Sequence, residues 1–60
     1  MTLENLIEKL AEGYNEVMKI ATNPDVEPVV RSFYNGKGEA YLLTLADLRE
    51  IAKQSEKAGA

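Results

Sequence analysis

Cysteine, histidine and tryptophan are absent from this 60-residue chain, and three tyrosines and one phenylalanine supply all of its aromatic surface. Without cysteine there is no disulfide, no thiolate nucleophile and no Fe–S ligand set; without histidine the commonest zinc ligand and the usual general base are missing as well. No Asp or Glu sits alone inside an apolar run, the setting in which a carboxylic acid does acid–base work. The expectation is a chain that is not an enzyme, with no catalytic residues, no cofactor, no metal and no small-molecule substrate. No apolar run approaches membrane-spanning length, and residues 1 to 21 are too rich in Glu and Lys for a secretory signal. A reducing compartment fits the lack of cysteine, so the expected location is the cytoplasm.

Basic charge is also in short supply. Ten acidic residues against seven basic ones give a net charge of −3 and a pI near 4.8. A phosphate backbone demands a local excess of Lys and Arg, so direct nucleic-acid binding is not expected. Sixty residues make a single small domain, 1–60, near the lower limit at which a chain buries enough surface to fold alone. With disulfides and metals excluded, the remaining supports are tight packing and association.

What is present begins with "TLENLIEKLAEGYNEVMKIA". Leu3, Leu6, Ile7, Leu10, Tyr14, Val17, Met18 and Ala21 recur at helical spacing, which predicts an amphipathic helix with Thr2 as N-cap. "TNP" at 22 to 24 ends it, because Pro24 cannot continue the ladder. Gly13 lies beside the apolar stripe, where a close neighbour would explain it. A second helix is predicted over "TLADLREIAKQSEK", with Thr44 and Asp47 as a capping box and Leu45, Leu48, Ile51 and Ala52 as a narrow apolar face.

The middle supports two readings. Val26, Val29, Val30, Phe33 and Tyr34 fit helical spacing, with Asp25 as cap and Gly36 as stop, which would make a small three-helix bundle with residues 26–35 helical. The same stretch is dense in β-branched and aromatic residues, and Asn35-Gly36 before an apolar run is a strong hairpin signal. The second reading is preferred: strands near 28–34 and 39–43, and an α+β fold of helix, β-hairpin and helix. In "FYNGKGEAY" the glycines then serve a tight turn with Gly36 at positive φ. A phosphate loop would need a longer Gly-to-Gly spacing followed by Lys and a hydroxyl.

Strand alternation places Val30, Tyr34, Tyr41 and Leu43 on a hairpin face that two helices cannot cover, which makes these four the candidate protein interface. Glu4, Glu8, Glu12 and Glu16 form an acidic ridge on the first helix, and Arg49, Lys53 and Lys57 a basic one on the last. These are candidate charged contacts, within one chain or across a dimer, although most such ridges are solvated helix faces.

Asn35-Gly36, the aromatic Tyr41 and the run Thr44-Leu45-Ala46-Asp47-Leu48 resemble the phage head-to-tail joining protein W family. The resemblance covers residues 35–51. It implies helix, hairpin and helix and a structural part that assembles in a ring at a phage head, and a phage-encoded chain would be expected in the host cytoplasm. This chain departs from it in being acidic, in its longer link from helix to hairpin and in lacking a basic tail. The reading that follows is a small acidic protein–protein interaction module, a regulator, adaptor or inhibitor of a larger protein. Its alternatives are a self-assembling head-completion protein and, more weakly, an acidic nucleic-acid mimic. The expected partner is another protein, a homo-oligomer, or both.

Overall fold

A computed structural model describes the backbone of residues 2–59 and the side chains of residues 2–55. Two α-helices, α1 (Leu3–Ala21) and α2 (Pro28–Gly59), fold back on each other as an antiparallel hairpin measuring 49 × 16 × 13 Å. There is no strand among the described residues. The α+β expectation is therefore overturned: residues 28–34, 35–38 and 39–43, read as strand, turn and strand, are consecutive turns of α2. The three-helix alternative also fails, because the helix does not stop at Gly36 but continues to Gly59.

α1 forms as its sequence directs. The backbone N–H of Asn5 donates to the Thr2 hydroxyl at 3.1 Å, and Glu4 and Lys19 sit at the ends where the helix dipole favours their charges. Thr22 closes the helix, its N–H reaching the Met18 carbonyl at 3.0 Å and its hydroxyl the same oxygen at 2.7 Å. The Asn23 side chain accepts from the Asp25 N–H at 2.9 Å, an Asx turn that reverses the chain. Asp25 is thus part of the connection and not a cap. Pro28 opens α2 at the position where a missing N–H costs nothing.

Along α2, Arg31, Tyr34, Gly38, Tyr41, Leu45, Leu48 and Ala52 alternate spacings of three and four and are buried or half-buried. Leu3, Leu6, Leu10, Gly13, Val17 and Ile20 do the same on α1. Two such stripes make a coiled-coil-like seam. Glycine occupies two tight positions in it: a Cβ on Gly13 would lie 2.9 Å from Cε1 of Tyr41, and one on Gly38 would lie 2.8 Å from Sδ of Met18. Both glycines cost helix propensity, and both let the helices approach. The centre of the seam is small: Val17 at 8% exposure and Leu45 at 2% are its buried apolar side chains.

One helix-internal hydrogen bond and one backbone angle complete the correction. The Thr44 hydroxyl donates to the Ala40 carbonyl one turn back at 3.0 Å, which makes it a mid-helix residue and dissolves the capping box with Asp47. Gly36 does not adopt positive φ, so the turn expected at Asn35-Gly36 has no counterpart in the backbone. No helix among the described residues is long and apolar enough to cross a membrane.

Candidate protein-docking face

The four residues expected to share an interface divide between two sides of α2. By helical spacing Val30, Tyr34 and Tyr41 lie on the side turned toward α1, with Tyr41 seated over Gly13 and half-buried. Tyr34 is half-buried as well. Its ring meets that of Phe33 edge-on at 5.4 Å, and the Lys37 ammonium lies 5.6 Å from its centroid. Leu43 falls on the opposite side and is 66% exposed.

That opposite side carries the apolar surface that strand alternation had assigned elsewhere. Val29 is 79% exposed and Phe33 65% exposed, and both fall with Ala40 and Leu43 on one outward stripe that Ile51 prolongs. Gly36 lies within the stripe and has nothing within 4 Å of the place a side chain would occupy. Val29 and Phe33 were missed as surface residues because a strand pattern puts them on the face toward the domain's own core, and Ile51 because it was grouped with Leu45, Leu48 and Ala52 on the apolar face of the last helix, from which its 53% exposure separates it. Reading residues 28–51 as one continuous helix would have found them.

The charged ridges also resolve. Glu4, Glu8, Glu12 and Glu16 are all exposed, along the side of α1 away from α2, and Arg49 and Lys53 are exposed on α2. Lys57 lies outside the residues whose side chains are described. Among the described residues the ion pair present is local, Glu16 to Lys19 at 3.3 Å, between two side chains that are mostly in water. Among the described residues the two ridges form no ion pair with each other within the hairpin. A pair so exposed contributes little.

Surface depressions occur between the helices, as beside Tyr14, Met18 and Leu42, but they are open and have no convergent polar set. No group of three or more acidic side chains is placed to hold a metal ion among the described residues. What the arrangement offers chemically is a rigid helix face with large apolar side chains at its ends and small ones at its middle, facing water. No protein-family model, curated protein or solved structure matches the chain, and nothing in those comparisons bears on the head-to-tail joining resemblance, whose residues 35–51 lie within α2.

Proposed function

We propose that this chain is a protein-binding module whose docking surface is the outward face of α2. The observation that carries it is the exposure of Val29, Phe33 and Leu43 along one side of a helix whose other side is already occupied by α1. Apolar side chains scattered singly need no explanation, but a row of them on one helix face is the form a helix takes when it packs on something. The acidic ridge of α1 stays in water and keeps the module soluble. An assembly role, as in a head-completion protein, would use the same face, so the two readings differ in partner and not in surface.

The test is a paired capture from the native source. Phe33→Ser with Leu43→Ser should leave the far-ultraviolet circular dichroism unchanged and lose whatever stoichiometric partner the unmodified chain retains. Retention of the same partner by the double variant would refute the assignment of this face, as would loss of helicity on substitution in a chain that is monomeric.

A further inference from the structure

We infer that the protein docking on this face is a second copy of the same chain, paired antiparallel through α2 so that four helices lie side by side in the order α1, α2, α2, α1; this rests on the docking reading above. Three observations converge. The first is area. The chain exposes 4717 Å², whereas a compact monomer of its 6.6 kDa mass exposes about 3,900 Å². The excess of about 800 Å² is spread over an elongated hairpin of 49 × 16 × 13 Å, and it leaves room for the roughly 800 Å² that one partner of a standard interface buries.

The second is periodicity. Val29, Phe33, Gly36, Ala40, Leu43 and Asp47 repeat the three-and-four spacing of the inner seam on the opposite side of the same helix. A helix with two opposed seams belongs between two neighbours. α1 is one of them.

The third is self-complementarity, which a two-fold interface requires of its own surface. A two-fold axis at the level of Gly38 sets Phe33 beside Leu43 of the second copy and Gly36 beside its Ala40, so large residues meet at the ends and small ones at the centre. The same axis sets Asp47 of each copy beside Val29 of the other. That is the first turn of α2, which has no acidic residue within it and carries the positive end of the dipole, although Glu27 adjoins it at the cap. A parallel, in-register pair would instead bring Asp47 onto Asp47 inside the seam. The charge therefore selects the antiparallel arrangement.

Sedimentation equilibrium of the full chain, with a disulfide test of register, decides the matter. The unmodified chain should have twice its monomer mass in the micromolar range, and Phe33→Glu, which places a charge at both ends of the seam, should weaken the dimer at least about a hundredfold. Because the chain contains no cysteine, Phe33→Cys and Leu43→Cys chains can be mixed and oxidised without interference. A mixed 33-to-43 disulfide should exceed either homodisulfide, and it remains informative even if Phe33→Glu unfolds. A folded monomer at hundreds of micromolar would overturn the second copy while leaving the face free for another protein. Docking itself would fall if Phe33→Ser with Leu43→Ser unfolded that monomer, or if the double variant kept the partner that the unmodified chain retains. A dimer indifferent to Phe33→Glu, or one favouring the 33-to-33 disulfide, would overturn the arrangement.

Discussion

Gly13 and Gly36 both lie inside helices, and what stands over each decides the consequence of filling it. Nothing of its own chain lies within 4 Å of a Cβ on Gly36, so in the single hairpin, isolated by Phe33→Glu, Gly36→Ala collects the helix-propensity gain and should raise stability by about 0.5–1 kcal/mol, whereas in the two-fold pair the added methyl meets Ala40 of the second copy. The same substitution at Gly13 drives a methyl to 2.9 Å from the Tyr41 ring, which must move out of the seam. Stability should then be no higher than that of the unmodified chain. Urea midpoints for the two variants measure the difference, and equal gains would show that Tyr41 does not hold its place over Gly13. Tyr41 itself is read here as a packing residue: Tyr41→Ser should cost about 2 kcal/mol and lower the helical signal on heating. A variant that melts with the unmodified chain would return Tyr41 to the surface.

At the scale of the element, α1 was legible because every signal in it agreed. Its apolar stripe, its Thr2 cap and the stop at Pro24 point to one helix, and the structure gives Leu3–Ala21. The cap contributes measurably, and Thr2→Ala should lower stability by about 1 kcal/mol, read as a fall in melting temperature. No change would mean that the bond from Asn5 to Thr2 is replaced by water at no cost. In α2 the signals conflict. Asn35-Gly36 marks a hairpin only where the backbone can take positive φ, and the surrounding ladder of Glu39, Ala40, Leu42, Leu43 and Leu45 keeps it helical. The inner seam was hidden for a second reason: one of its positions is Gly38, which a search for apolar periodicity does not count although the crossing depends on its lack of a side chain. The face of Val29 and Phe33 was lost with the same misreading, since a change of period from 3.6 to 2 reassigns which residues share a side.

For the whole molecule, the distribution of charge says which surfaces remain in water once α2 is covered. Glu4, Glu8, Glu12 and Glu16 run along the side of α1 that faces away from α2, so in the four-helix arrangement this ridge lies on the outside. Neighbours four apart repel by about 0.2–0.5 kcal/mol per pair, and glutamine forms helix about as well as glutamate. Replacing Glu8 and Glu12 by Gln should therefore leave stability equal or slightly higher, with the gain fading as salt screens the repulsion it relieves. The assembled mass should not change, in contrast to Phe33→Glu, because no carboxylate of the ridge belongs to the seam. Urea unfolding at two ionic strengths and sedimentation of the same variant make the comparison. If neutralising Glu8 and Glu12 weakened association at low salt, the ridge would be steering a basic surface toward the hairpin, and the basic residues Arg49 and Lys53 of a second copy would be the first to substitute in turn.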